Sequence, residues 1–312
     1  MSSSSPTSPT SPASHTGPTS DRSGSTGRTV PPEPFGVRLR HAMDTRGPLC
    51  VGIDPHASLL QAWGLTDDVA GLERFTRTTV EALAGRVAVL KPQSAFFERF
   101  GSRGVAVLEK AVQEARAAGA LVLMDAKRGD IGSTMGAYAA TYLDKDSPLF
   151  SDAVTLSPYL GFGSLRPALD AAAVSGAGVF VLALTSNPEG AEVQRATAAD
   201  GRSLAQVMLD HIAAENTGAT SLGSVGAVVG ATLGDARADL AVNGPLLAPG
   251  IGAQGATPAD LPGVFGAAVG NVVPSVSRGV LRHGPDVRAL REAAELFADE
   301  VRAAVGGARE TR

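Results

Sequence analysis

Short apolar segments alternate with longer stretches of helical spacing between residues 49 and 274 of the chain. Each short segment suits a buried strand and is too short for a core helix. Strands that alternate with helices predict βαβ units and a parallel sheet, and the near-continuous Val, Leu and Ala content predicts a sheet covered on both faces. The eight predicted strands cover residues 49–53, 87–90, 120–124, 153–156, 179–184, 225–229, 246–249 and 271–274.

The fold class predicted from this series is α/β, a single (β/α)8 TIM barrel with a disordered N-terminal tail. Residues 1–34 are nearly all Ser, Thr, Pro and Gly, and such a segment has too little apolar surface to offset its ordering entropy. The rest of the 312-residue chain has the usual length of such a barrel and shows no sign of a second domain. We therefore expect a tail over residues 1–34 and a barrel over residues 35–312.

Composition argues against several classes of protein. Cys50 is the only cysteine, so no intramolecular disulfide can form, and a lone cysteine fits a reducing compartment. The tail lacks the apolar segment of a secretory signal, and no apolar run reaches the length of a membrane span. The formal net charge of −4 gives no basic footprint for nucleic acid. The sequence predicts a soluble, cytoplasmic protein with no membrane or nucleic-acid partner.

Polar residues gather where the predicted strands end. In a parallel barrel those ends share one rim, and sites in this fold are built there. Chance or solubility would distribute polar residues over both rims. The sequence therefore predicts a site at the C-terminal rim, close to Asp54, Lys91, Asp125 with Lys127, Ser157, Ser186, Thr232, Gln254 and Arg278.

The third predicted strand leads into the most highly charged of these strand ends. Asp125 and Lys127 are two residues apart, so their side chains leave a strand on the same side. Asp130 follows, and a helix is predicted over residues 131–142. The alternative is a solvated strand-to-helix turn in which Asp130 caps the helix.

Lys91 ends the second predicted strand, directly before Pro92. A lysine at a barrel rim can be a Schiff-base nucleophile, a counter-ion or a surface residue with a buried stem. Asp54, Asp125, Lys127 and Asp130 would alternate in sign with Lys91, and such a network keeps lysines protonated and carboxylates ionised. Protonated lysines form imines poorly, which argues against aldolase chemistry. Asp54 has the alternative of a plain strand-end cap.

Two glycine-containing motifs follow the last two predicted strands. Glycines let backbone N–H groups approach an anion, and an arginine adds a charge-assisted fork for phosphate oxygens. Because the loops after strands seven and eight form the usual phosphate site of such barrels, the pair predicts a phosphorylated ligand. The loop over residues 253–258 is small enough to close over that phosphate. Two flexible turns and a surface arginine are the alternative for Gly250-Ile251-Gly252-Ala253-Gln254-Gly255 and Ser277-Arg278-Gly279.

The stretch Met124-Asp125-Ala126-Lys127-Arg128-Gly129-Asp130-Ile131-Gly132-Ser133-Thr134 resembles the signature of the orotidine 5′-phosphate decarboxylases, in the longer-chain bacterial branch often called type 2. The resemblance spans about residues 35 to 305. The shorter-chain branch has Pro-Glu where this chain has Gly132-Ser133. Further matching motifs are Gly52-Ile53-Asp54-Pro55, Leu90-Lys91-Pro92-Gln93, Thr155-Leu156-Ser157-Pro158-Tyr159, Thr185-Ser186-Asn187-Pro188, Pro249 to Gly255, and Ser277-Arg278.

The resemblance implies a homodimeric barrel that converts orotidine 5′-phosphate to uridine 5′-phosphate and CO2 without a metal or an organic cofactor. It implies a charged array of Lys91, Asp125, Lys127 and Asp130, with Lys127 as proton donor to C6. Asp130 and Thr134 would come from the partner subunit. The implied substrate contacts are Asp54 and Lys91 with the ribose hydroxyls, Ser186 with the pyrimidine edge, and Gln254 and Arg278 with the phosphate; Ser157 matches less securely and is left out of the predicted site.

Two other functions compete with this interpretation. The sugar-phosphate branch of the superfamily shares the Asp-x-Lys-x-x-Asp pattern, but it carries an acidic residue in the Lys91 position and uses Mg2+. Lys91 would repel a divalent ion there. A catalytically inactive barrel that binds nucleotides as a sensor is the second alternative, and nothing in the charged array looks degraded.

Overall fold

Parallel strands close into a barrel in the order β1 to β8, with β8 paired to β1. The computed structural model describes residues 31–233, 237–252 and 255–310, and the chain from Pro31 onward forms one compact unit. The predicted barrel is therefore confirmed. Of the predicted tail, only residues 31–34 are described, and they form neither helix nor strand.

Seven of the eight predicted strands match the observed strands to within about two residues at each end. The third was expected to end at Met124 but continues to Arg128, because Arg128 still pairs with Leu156 after a shift of register that begins at Met124. The charged residues of this segment therefore belong to the strand itself. The strands are β1 (Cys50–Ile53), β2 (Val89–Pro92), β3 (Leu121–Arg128), β4 (Ala153–Leu156), β5 (Gly178–Leu184), β6 (Val225–Val229), β7 (Leu246–Pro249) and β8 (Val272–Val276).

Helices cover the outside of the barrel, and several begin and end as local sequence signals predict. Asp68 caps one of them by accepting a hydrogen bond from the Gly71 amide, and Gly119 ends another in the left-handed conformation that favours glycine. The helices are α1 (Phe35–Arg46), α2 (Ala57–Ala62), α3 (Val69–Leu83), α4 (Ala95–Glu98), α5 (Gly101–Ala117), α6 (Gly132–Leu143), α7 (Arg166–Ser175), α8 (Ala191–Gln194), α9 (Leu204–Glu215), α10 (Leu261–Phe265), α11 (Arg278–Leu281) and α12 (Val287–Glu310).

The apolar core has two layers, one between strands and helices and one inside the barrel. Helix α1, which the sequence pattern did not predict, belongs to the inner layer. Its Phe35 packs edge-on against Phe180 of β5 with ring centroids 6.0 Å apart, and Leu39 is buried with it. Arg38 of α1 donates to Asp152, directly before β4, and to the Gly176 carbonyl, just before β5, so α1 covers the end of the barrel at which the strands begin. The opposite end, the C-terminal rim, is left for polar residues.

Candidate active site

Asp125 is the centre of a hydrogen-bonded cluster at the C-terminal rim. Its Oδ2 accepts a hydrogen bond from Lys91 Nζ at 2.7 Å, and its Oδ1 accepts one from Lys127 Nζ at 2.6 Å. Adjacent strands bring these residues together, because Lys91 lies near the end of β2 and the other two lie on β3. The charged triad Lys91–Asp125–Lys127 is thus one carboxylate held between two ammonium groups.

Two of the three side chains of this triad are buried. The side chains of Lys91 and Asp125 are 7% and 8% exposed, whereas that of Lys127 is 44% exposed. Burial alone would raise the pKa of Asp125, but attraction to Lys91 and Lys127 outweighs it and holds that pKa well below its usual range. Burial alone would lower the pKa of Lys91, yet the charges of Asp125 and Asp54 raise it. Lys91 and Asp125 are therefore both ionised at neutral pH, and a buried Lys91 ammonium is unsuited to imine formation.

The backbone of Lys127 adopts an unusual conformation. Its φ of +48° lies in the left-handed region, which non-glycine residues seldom occupy. The residue sits in the register shift of β3 against β4, and such irregularities re-aim side chains at functional sites. Lys127 N–H donates to Thr155 Oγ1 at 3.0 Å, and its carbonyl accepts from Ser157 Oγ at 3.1 Å.

Sequence reasoning missed the roles of Thr155 and Gln93. Thr155 is buried on β4, and its hydroxyl also donates to Asp125 Oδ1 at 2.9 Å. Gln93 Oε1 accepts from Lys127 Nζ at 3.3 Å. Both residues lie in motifs that match the family, so the signal was present in the sequence. Nothing about a β-branched residue in a buried strand, however, distinguishes a ligand of the triad from core packing.

Asp54 stands beside the triad, just beyond the end of β1. Gly52 of β1 pairs in register with Lys91, and a Cβ on Gly52 would lie 3.0 Å from Asp54 Oδ2. The Oδ1 atom of Asp54 is buried and has no hydrogen-bond partner in the described part of the chain. The Ser277 hydroxyl is in the same state, and the same Cβ on Gly52 would lie 3.1 Å from Ser277 Cβ. An unpartnered buried carboxylate oxygen is costly.

Asp130 and Thr134 do not join the triad within one chain. Asp130 is half-buried on the segment between β3 and α6, and its Oδ1 accepts from the neighbouring Ile131 amide, at 2.8 Å. Among the described residues, no ion pair connects Asp130 with Lys91 or Lys127. Thr134 is exposed on the first turn of α6. The solvated-turn alternative is wrong for Asp125, which is buried, and Asp130 does not cap α6, whose N-cap is Ile131.

Ser186 and Arg278, two of the remaining predicted residues, lie at the same rim. Ser186 is half-buried two residues after β5, in a loop fixed by Gln194, which accepts from the Thr185 amide at 2.9 Å. Arg278 begins α11 directly after β8 and is exposed. Gln254 lies outside the described residues. The structure therefore brings Lys91, Asp125 and Lys127 into direct contact, with Asp54 beside them.

Comparison with known proteins assigns the chain to a family. Residues 47–293 match the model of the orotidine 5′-phosphate decarboxylase / HUMPS family. The chain belongs to that family. A Streptomyces coelicolor protein named orotidine 5′-phosphate decarboxylase is 78% identical over 274 residues, which cover 88% of this chain and 99% of the relative. A Salinispora arenicola protein of the same name is 65% identical over 276 residues, covering 88% and 99%.

A solved structure agrees with the barrel. The crystal structure of a Streptomyces avermitilis protein described as an orotidine 5′-phosphate decarboxylase superposes with a TM-score of 0.87 at 77% sequence identity. The match covers 89% of this chain and 98% of that one. The family resemblance and the fold class predicted from sequence are therefore confirmed. The enzyme class is confirmed at the same level, because the curated relatives carry the name of a carboxy-lyase.

Proposed function

We propose that this chain catalyses the decarboxylation of orotidine 5′-phosphate to uridine 5′-phosphate and CO2, a step of de novo pyrimidine biosynthesis. The observation that carries the proposal is the charged triad, with Lys127 Nζ 2.6 Å from Asp125 Oδ1 at the rim of a family-matched barrel. The names of the Streptomyces and Salinispora relatives support the substrate.

Lys127 is the proposed proton donor. When the bond from C6 to the carboxylate breaks, CO2 leaves and the electron pair stays on C6 in an sp2 orbital that the ring cannot delocalise well. Covalent catalysis has little to offer such a carbanion, so fixed charge must stabilise it. The Lys127 ammonium would stabilise the developing charge and then transfer a proton to C6. The lysine, neutral after the transfer, regains its proton from solvent, which its partial exposure permits.

The rate acceleration that repulsion by Asp125 could supply has an upper limit. Two unit charges about 4 Å apart repel by roughly 4 kcal/mol at an effective dielectric of about 20. Because each 1.36 kcal/mol is about tenfold in rate, repulsion between Asp125 and the departing carboxylate gives about three decades at most. Ground-state stress of this kind is also contested. Stabilisation of the transition state by Lys127 therefore ranks above it, and the main task of Asp125 is to hold the two lysines in place.

The other rim residues are proposed to bind the substrate away from C6. Asp54 and Lys91 would bind the ribose hydroxyls, a role supported by the Oδ1 of Asp54, which is unpartnered in the described part of the chain. Ser186 would bind the pyrimidine edge, and Gln254 and Arg278 the phosphate. Phosphate binding is remote from the reacting carbon, so its free energy is available for loop closure and alignment.

A homodimer is part of the proposal, with Asp130 and Thr134 donated across the interface. Large apolar side chains are exposed near these residues: Ile131 is 60% exposed, Tyr159 80% and Leu160 54%. Exposed apolar residues beside a site are typical of protein interfaces. Within one chain Asp130 makes a local hydrogen bond to the next residue, which leaves its carboxylate available to a neighbouring triad. The proposed location is the cytoplasm, supported by the lone, buried Cys50.

Lys91 distinguishes the decarboxylase from the Mg2+-dependent sugar-phosphate branch. A divalent ion bound to Asp125 would need a second negatively charged ligand nearby. The Lys91 ammonium, 2.7 Å from Asp125 Oδ2, places a positive charge there instead. In the described residues, no group of three or more His, Cys, Asp or Glu side chains could hold a metal ion. The proposed enzyme needs no metal and no organic cofactor.

No helix in the described part of the chain is long and apolar enough to cross a membrane.

The decisive assay follows the absorbance of orotidine 5′-phosphate with EDTA present. We expect full turnover in EDTA, because no step uses a metal. Activity that disappears with chelator and returns with Mg2+ would favour the sugar-phosphate branch. Binding of uridine 5′-phosphate without turnover of the substrate would favour a nucleotide sensor.

Subunit mixing tests the origin of Asp130. Asp130→Ala and Lys127→Ala subunits are each inactive in this proposal, but a heterodimer of the two has one intact site. Mixing equal amounts should restore about a quarter of the wild-type activity, since half of the dimers are hybrid and each has one working site. No recovery after proven subunit exchange would mean that the site is built within one chain.

A further inference from the structure

Thr155 connects the backbone of Lys127 to the carboxylate of Asp125. The Thr155 hydroxyl accepts from Lys127 N–H at 3.0 Å and donates to Asp125 Oδ1 at 2.9 Å. The directions are fixed, because an amide can only donate and an ionised carboxylate can only accept. The single hydroxyl proton therefore goes to Asp125.

Lys127 needs such support because its backbone is strained. Its φ of +48° lies in the left-handed region, which is energetically unfavourable for a residue with a side chain. Such a conformation persists only where surrounding contacts fix it. The Thr155 hydroxyl accepts a hydrogen bond from the N–H of Lys127, and the hydroxyl of Ser157, directly after β4, donates one to the Lys127 carbonyl. The backbone at Gly129 also lies close to Ser157, because a Cβ on Gly129 would lie 2.3 Å from the Ser157 carbonyl oxygen.

The same hydroxyl completes the coordination of Asp125. Oδ1 accepts from Thr155 and Lys127, while Oδ2 accepts from Lys91. Three donors on one carboxylate leave its rotamer little freedom, and all three come from side chains. The Lys127 ammonium is thus aimed by Thr155 twice, once through its own backbone and once through Asp125.

We propose that Thr155, assisted by Ser157, is the positioning residue that holds the Lys127 ammonium at the reacting carbon. This inference rests on the proposed decarboxylation for its kinetic consequence. Thr155 does not contact the substrate in this account. It therefore governs the chemical step, which depends on the position of Lys127, more than substrate affinity, which depends on the phosphate and ribose contacts.

The test compares hydroxyl removal with hydroxyl retention at position 155. Thr155→Val keeps the β-branched shape and should lower kcat about 10- to 100-fold with KM within about threefold, the loss expected for a hydrogen bond to a charged group. Thr155→Ser keeps the hydroxyl and should stay within about threefold of wild type in kcat. Ser157→Ala loses a more exposed hydrogen bond and should lower kcat about three- to tenfold.

Thr79→Val is the matched control. Thr79 is also buried, and its hydroxyl donates to the Phe75 carbonyl at 2.9 Å within α3, away from the rim. This variant should lower thermal stability and leave kcat unchanged. If Thr155→Val matches Thr79→Val in both measurements, Thr155 is only a core residue and the proposal fails. If Thr155→Val does not fold, unchanged kcat in Ser157→Ala would overturn the proposal, and the expected decrease would support it.

A crystal structure of Thr155→Val separates this inference from the proposed function. We expect either a Lys127 φ outside the left-handed region or a Lys127 Nζ–Asp125 Oδ1 distance beyond hydrogen-bond range. An unchanged geometry at Lys127 would overturn the inference. A wild-type protein that does not turn over orotidine 5′-phosphate would overturn the proposed function, and the crystallographic comparison would still decide the role of Thr155.

Discussion

Asp125 at the C-terminal rim and Asp152 at the opposite end of the barrel are both buried carboxylates between two cations. Asp152, directly before β4, accepts from Arg38 Nη1 at 2.5 Å and from Arg116 Nε at 3.3 Å. Its side chain is 4% exposed. The arrangement of charge is therefore the same at the two ends, and the chemistry of the partners is what differs.

The Asp152 cluster connects secondary structure elements. Its carboxylate also accepts from the Val122 amide of β3, and Arg38 donates in addition to the Gly176 carbonyl after α7. Arginine cannot lose its proton in a protein, and its planar fork suits such fixed multiple bonds. We interpret this cluster as a structural tie between α1, α5, β3 and the segment before β4.

The Asp125 cluster is held by side chains. The donors to its carboxylate are two lysines and one threonine hydroxyl, and a lysine can deliver a proton. Lys127 is also partly exposed, so it can exchange protons with solvent. A buried carboxylate between two cations is therefore not in itself a catalytic signature. Lysine partners at the rim, one of them partly exposed, support the catalytic role that we propose for the Asp125 cluster.

Exchanging the cations gives the largest expected effect. Lys127→Arg keeps the positive charge beside Asp125 but removes the transferable proton, and we expect kcat to fall by about 10³-fold or more. Lys127→Ala also removes the charge and should cost about 10⁴-fold or more, while uridine 5′-phosphate still binds. Arg38→Lys at the other end should keep kcat within about twofold. Steady-state kinetics on the three variants measure these changes in kcat. A Lys127→Arg enzyme with wild-type activity would contradict the role of Lys127 as proton donor.

Asp152→Asn should affect stability and leave catalysis intact. The amide would turn a donor toward Arg38 or Arg116 and leave both arginines without their anion. Because both arginines are partly exposed, we expect a loss of about 2 kcal/mol in the free energy of unfolding, below the cost for a fully buried pair. Urea denaturation at pH 7 measures it, with kcat per folded molecule as the companion. A large fall in kcat with unchanged stability would contradict the division of roles.

Much of this site was predictable from the sequence, because Lys91, Asp125 and Arg278 stand where apolar strands end. The shape of the barrel then brings those strand ends to one rim. The conformation of Lys127 was not predictable, since the register shift that produces it is a property of the pairing between β3 and β4. Sequence patterns describe one segment at a time, so Thr155 looks like an ordinary β-strand residue.

Two further features depend on parts of the molecule distant in sequence. Helix α1 has little amphipathic character, and its place in the inner core follows only when closure of the barrel creates an end for Phe35 to fill. The need for glycine at position 129 arises from the approach of Ser157, 28 residues later in the sequence. The proposed role of Asp130 depends on a second subunit, which no pattern within one chain can position.

The smallest expected effect is a dependence of stability on pH that belongs to Asp125. Its pKa is lowered in the folded state, so its contribution is fully present above the usual carboxyl pKa of about 3.9 and is lost as pH falls toward the folded value. The free energy of unfolding of wild type relative to that of Asp125→Asn should fall by about 1 kcal/mol between pH 5 and pH 3. Urea denaturation across this range measures the difference. A difference that stays constant down to pH 3 would mean that Lys91 and Lys127 do not hold Asp125 ionised, and the contrast between the two ends of the barrel would then lose its electrostatic basis.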